Sequence, residues 1–174
     1  MASRSEEKIP LHIARKLPYR TLARMINKAK KYLLTDPTWQ KVCEEYSEEP
    51  DIIDLIPTMF GDLKVSAKTD HGVVILNYQL LTDGDFFKDY SYLIHEYTHW
   101  FQRCYGKEAT QSSNDGDYLD NPFEQEGFSN QVKYIADQFG EPEAEKYVDN
   151  LLEHHQVEDE DEVKKKKEVL MSRV

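Results

Sequence analysis

Apolar residues recur every three or four positions early in the chain, alternate in its middle, and then return to the helical period. Leu22, Met25, Ile26, Ala29 and Leu33 share one face of a helix predicted over 19–34, with Lys and Arg filling the remaining positions. Asp36-Pro37 has the form of an N-cap followed by a first-turn proline, which opens a second helix to about residue 46. The acidic stretch Glu48-Glu49-Pro50-Asp51 ends it. Over 55–81 the period shortens: Leu63, Val65 and Ala67 alternate with polar residues, and 73–78 is a β-branched, apolar run. Asp70-His71-Gly72 supplies turn chemistry between them, so a β-hairpin with a somewhat longer loop is predicted, with His71 in the turn.

Helical spacing returns in Phe87, Tyr90, Ile94, Tyr97, Phe101 and Cys104, predicting a helix over 86–105. Thr82-Asp83-Gly84-Asp85 would cap its start, and Gly106 would stop it. A polar loop to Asp120 follows, long enough to be a functional rim. Asn121-Pro122-Phe123-Glu124 opens a helix to about residue 139, with Asn as N-cap and Glu at the third position, and Gly140 closes it. Glu141-Pro142 starts a last helix to about residue 155, whose His154-His155 pair reads as solvated. An acidic block from Glu158 to Glu162 and a basic one from Lys164 to Lys167 hold too few apolar residues for a core. Residues 157–174 are therefore expected to be a charged tail, either a solvated helix or frayed.

These elements describe one domain over 1–156, of class α+β. N-terminal helices lie within 19–46, a small mixed or antiparallel sheet within 55–81, and helices over 86–105, 122–139 and 141–155. A chain of 174 residues is long enough to bury a core without staples. Its 22 Lys and Arg against 33 Asp and Glu give a net charge of −11, which argues against a nucleic-acid or anionic-membrane partner. Cys43 and Cys104 cannot make a disulfide framework, and no apolar run stands behind the polar residues 1–8. A cytoplasmic protein, monomeric by default, is expected.

The chemistry concentrates in His95-Glu96-Tyr97-Thr98-His99, an HExxH pattern on the helix over 86–105. On a helix the two His lie one turn apart on one face, and Glu96 sits about 100° round, close enough to hold a water on a shared metal. One Zn²⁺ suits imidazole ligands, and a catalytic zinc takes three protein ligands with a fourth position open. No His follows the motif until His154, so the third ligand is expected from a Glu on the next helix: Glu126, with Glu124 as the alternative. Glu124 has an ordinary task in capping the Asn121 amide, whereas Glu126 has none and lies opposite the stripe of Phe128, Val132, Ile135 and Phe139. Asn130, one turn on from Glu126, would orient a ligating His.

With these motifs the chain resembles the gluzincin metallopeptidases over about 55–139. His95-Glu96-Tyr97-Thr98-His99 matches their HExxH, and Glu126-Gly127-Phe128-Ser129-Asn130 resembles their ligand Glu followed four residues later by an acidic residue. Asn130 stands where an Asp is usual. The resemblance implies a short zincin-like domain, with the sheet packed on the active-site helix and a second helix bearing the third ligand. It also implies an endopeptidase acting on protein or peptide substrates, with zinc-bound water activated by Glu96 as general base. An edge strand, 73–78 or its hairpin partner, would pair with extended substrate. The transition-state His or Tyr of such enzymes has no alignable motif here, and Tyr105, Tyr118 and Tyr134 are the candidates. The competing expectation is a catalytically silent zincin-fold binding or regulatory protein that retains its metal. The N-terminal helices could cover the cleft, in which case removing residues 1–34 would raise activity.

Overall fold

The computed structural model describes residues 8–83, 86–106 and 118–174. After a single helical turn, α1 (Leu11–Ala14), helix α2 (Tyr19–Leu33) buries Leu22, Ile26, Ala29 and Leu33, the stripe read from the sequence. Lys30 is drawn onto the same face, where its ammonium donates to the Ile56 carbonyl at 2.6 Å. Burial holds its pKa below the ordinary value, and the Asp54 charge only partly offsets this. Helix α3 (Pro37–Glu45) starts as expected, with Asp36 Oδ1 accepting from the Thr38 and Trp39 amides.

A three-stranded sheet follows, in the order β1 (Thr58–Gly61), β3 (Val73–Asn77), β2 (Ala67–Asp70). β1 runs parallel to β3, and β2 runs antiparallel to it. The hairpin turn is tighter than its predicted loop: Asp70 already pairs with Val73, so His71 and Gly72 alone make the connection. Both have positive φ, 49° and 79°, the geometry of a two-residue turn that follows the twist of its strands. His71 is a turn residue, with its side chain in solvent and Nδ1 against Asp70 Oδ1. Leu63 and Val65 lie before the strand, and their carbonyls accept from the Asn77 side chain.

Helix α4 (Tyr90–Cys104) carries the HExxH motif and begins later than the apolar spacing suggested. Of the predicted cap, Gly84 and Asp85 lie outside the described residues, as does the rim loop over 107–117. The middle of α4 is buried on every side, from Leu93 to Thr98, as befits a helix at the centre of a domain. Helix α5 (Pro122–Phe139) lies along it, capped by Asn121 and ended at Gly140, where φ is 97°. Helices α6 (Glu141–His154) and α7 (Glu160–Leu170) complete the chain. The result is a mixed helix and sheet fold of zincin-like form, its small sheet and its helices bearing the HExxH site.

Two apolar clusters flank this layer of helices. One joins α2, α3, the sheet and α4 through Leu33, Trp39, Ile53, Leu76, Leu93, Ile94 and Phe101. The N-terminal helices are thus part of the core and not a detachable cover, and removing residues 1–34 would strip out Leu22, Ile26, Ala29 and Leu33. The other cluster joins α5, α6 and α7 through Phe128, Val132, Ala144, Val148, Leu152 and Leu170. Of the two states expected for residues 157–174 the helix is the one that forms, and it is docked rather than wholly solvated. Three apolar residues, Val163, Leu170 and Met171, suffice to dock α7, while its lysines pair with Asp120, Glu145 and Asp149 around the contact. Leu170 is 1% exposed, so Leu170→Ala should cost about 2–4 kcal/mol of unfolding free energy in urea titrations. A loss below about 0.5 kcal/mol would restore the undocked tail.

Candidate metal centre

His95 and His99 stand one turn apart on α4 and turn their Nε2 atoms to one point, 2.9 Å from each other. Glu124 Oε2, from the first turn of α5, lies 3.3 Å from His95 Nε2 and 3.2 Å from His99 Nε2. Nitrogen and oxygen ligands at about 2.0–2.1 Å from a tetrahedral zinc stand roughly 3.3 Å apart. Both Glu124 sides of this triangle match that span and the His pair stands closer, at 2.9 Å, so a slight parting of the two rings would seat one such ion with a fourth position open. Among the described residues these three form the group suited to hold a metal. Two imidazoles and one carboxylate, with the HExxH Glu between the His pair, match the gluzincin-type zinc-metallopeptidase site.

The third ligand is therefore the alternative Glu124, and the preference for Glu126 is corrected. The capping task that seemed to occupy Glu124 is done by backbone: the Asn121 amide donates to the Tyr118 carbonyl at 3.3 Å, inside a 3-10 turn over Tyr118–Asp120. Glu124 is thereby left for the His pair. Glu126 points elsewhere, accepting from the Tyr46 hydroxyl at 2.5 Å and from Gln102 Nε2 at 3.0 Å. Asn130 is also displaced from its expected task. It is buried, but it donates to Thr98 Oγ1 at 3.0 Å and ties α5 to α4 one residue away from His99.

The group that does orient a ligand imidazole is Gln102, whose Oε1 lies 2.7 Å from His99 Nδ1. It stands three residues after His99 on the same helix face, a spacing that could have revealed it. Gly127 was missed as well. A Cβ built there would lie 3.1–3.2 Å from three atoms of the His95 ring, a tight contact that glycine avoids and that any other residue would relieve by shifting the ring. Phe128 holds the ring from another side, with centroids 4.4 Å apart. His95 Nδ1 has no hydrogen-bond partner among the described residues.

Glu96 is 7% exposed, and its Oε2 lies 2.7 Å from the Thr69 hydroxyl on β2. No short-range signal in the sequence joins Thr69 to Glu96. Of the three tyrosines, Tyr105 binds Glu48 Oε1 at the far end of α4, and Tyr134 lies wholly buried with its hydroxyl unpartnered among the described residues. Only Tyr118 borders the site. Burial raises its pKa, and the neighbouring Glu124 carboxylate raises it further. His155 stacks on the Tyr118 ring at 5.1 Å, so it is half-buried and not simply solvated.

Charge holds the cluster together. Burial alone would push the His99 pKa down, but the Glu124 carboxylate, with Glu96 and Gln102 behind it, outweighs burial and lifts the imidazole to about 9. In turn, His95 and His99 hold Glu124 well below the usual carboxylate range, against its own burial.

No family model matches the chain, and no curated protein or solved structure matches it either.

Because zinc must displace the proton on His99, affinity measured against a competing chelator should rise with pH towards about 9, by up to about tenfold per unit. A flat profile between pH 6.5 and 8.5 would show that no proton leaves. Gly127→Ala should weaken zinc binding by about tenfold or more, by forcing the His95 ring from its place. Unchanged affinity would mean that α5 can retreat without consequence.

Proposed function

We propose that this protein is a zinc-dependent endopeptidase that hydrolyses protein or peptide substrates at the centre formed by His95, His99 and Glu124. The observation that carries this reading is the convergence of those three ligand atoms beside a buried Glu96. Zinc in this setting acts as a Lewis acid that lowers the pKa of water and polarises a scissile carbonyl.

The chain's own residues supply the remaining tasks. Glu96 accepts the proton of the attacking water and passes it to the leaving amine. The Thr69 hydroxyl fixes one of its carboxylate oxygens, and among the described residues nothing else hydrogen-bonds the carboxylate. β3 is flanked on both sides and cannot take a further strand, so substrate would pair with its hairpin partner β2, the edge strand that carries Thr69. Tyr118, kept protonated by burial and by Glu124, is the candidate donor to the developing oxyanion. A cytoplasmic setting belongs to the same reading, and both cysteines are free thiols.

Glu96→Ala should bind zinc as wild type does and lose about 10²–10⁴-fold or more in peptide turnover. Glu124→Ala should lose the metal itself. Equal turnover by wild type and Glu96→Ala, measured on an unstructured protein substrate, would leave the retained-metal binding protein as the better account.

A further inference from the structure

Glu126, turned away from the metal centre, is not idle. Its two oxygens accept from two different elements: Oε1 from the Tyr46 hydroxyl at the end of α3, and Oε2 from Gln102 Nε2 on α4. Gln102 Nε2 also donates to the Phe123 carbonyl at 3.0 Å. A carboxylate and a carbonyl can only accept, so both hydrogens of the Gln102 amide are committed and its nitrogen must face them. The amide oxygen is then left to face His99 Nδ1 at 2.7 Å. An amide oxygen cannot donate, so Nδ1 always carries a hydrogen, and the proton that zinc displaces is the one on Nε2, whose lone pair then faces the ion beside His95 and Glu124. Turning the amide over would set its oxygen against two acceptors, and its NH₂ could be met only by an Nδ1 lone pair, which puts the hydrogen on Nε2 where the metal must bind.

From this chain of contacts we propose that Tyr46, Glu126 and Gln102 form a positioning relay that locks His99 in the tautomer and ring orientation required of a ligand. The proposal rests on the reading of His95, His99 and Glu124 as a zinc site and adds what prepares one of its imidazoles. None of the three relay residues touches the reacting atoms. Tyr46 is clamped in turn: its ring stacks on Phe101 of α4 at 4.8 Å and 9°. The relay thus reaches from the apolar core to the metal centre. Because His99 is oriented by a neutral amide and not a carboxylate, its orientation depends on which way that amide faces, and Glu126 decides this together with the Phe123 carbonyl.

The test measures zinc affinity by chelator competition, together with the solvent exchange of the His99 Nδ1 proton by NMR in the zinc-loaded protein. Gln102→Leu should weaken zinc binding by about 10–100-fold, and Glu126→Ala by about tenfold, with rapid exchange of the Nδ1 proton in both. Glu126→Gln should stay within about threefold of wild type with the proton protected, since its amide can still accept from Gln102 and donate to Tyr46. If Glu126→Ala does not fold, Tyr46→Phe removes only the hydroxyl and should still speed the exchange. Wild-type affinity and a protected proton in Glu126→Ala, or in Tyr46→Phe where that variant stands in, would overturn the relay. So would a Glu126→Gln protein that loses zinc as fully as Glu124→Ala, since that would make Glu126 a ligand. Hydrolysis enters neither measurement, so a protein that binds zinc yet cleaves nothing counts against the peptidase reading alone.

Discussion

The close approach of α4 and α5 is the constraint on which the site depends. Two imidazoles on one helix can meet a carboxylate on its neighbour only if the backbones nearly touch at that level. The absence of a side chain at Gly127 favours this, because the His95 ring lies closer to the position of a Cβ than side chains ordinarily approach. A glycine inside a helix costs about 0.5–1 kcal/mol relative to alanine. Here that cost secures a position: with the ring between Gly127 and Phe128, Glu124 is set one turn earlier on α5, level with both Nε2 atoms.

Contact alone would not settle the register of the two helices. Along their seam run buried polar pairs, Thr98 with Asn130 and Ser91 with Gln131, and the half-buried contacts of Gln102 with Phe123 and Glu126. An apolar seam can slide by a turn at modest cost, but a slid polar seam leaves buried donors and acceptors unpaired, at about 1–3 kcal/mol each. The seam therefore contributes less to net stability than to uniqueness, and uniqueness is what a ligand triangle a few ångströms wide demands.

The same physics explains what could be read from the sequence. The HExxH helix was legible because its chemical pattern and its apolar period coincide on one segment. The start of α5 was legible too, since Asn121-Pro122 states a cap in two residues. The choice between Glu124 and Glu126 was not, because it turned on a backbone bond from Asn121 to Tyr118 and on which face of α5 meets α4. The apolar stripe of Phe128, Val132 and Ile135 was correctly placed opposite a polar face, yet it packs against α6 and α7. The face towards α4 is made of Gly127, Asn130, Gln131 and Tyr134, whose small and polar members carry little hydrophobic signal. The docking of α7 was hidden for a related reason: one buried leucine and a ring of ion pairs hold it, and charge composition suggested a solvated segment.

Electrostatics then bears on what the centre is suited to hold. Glu124 is half-buried between two imidazoles, and a carboxylate partly withdrawn from water is stabilised by a cation that faces it. A proton on His99 supplies one, which keeps the three ligand atoms assembled. Glu96 sets a second carboxyl group beside Glu124, so one proton is a poorer match for the cluster than a doubly charged ion. The second carboxylate thus has a double effect: it is placed to move protons, and it makes a doubly charged ion a better occupant of the centre than the proton that ion displaces.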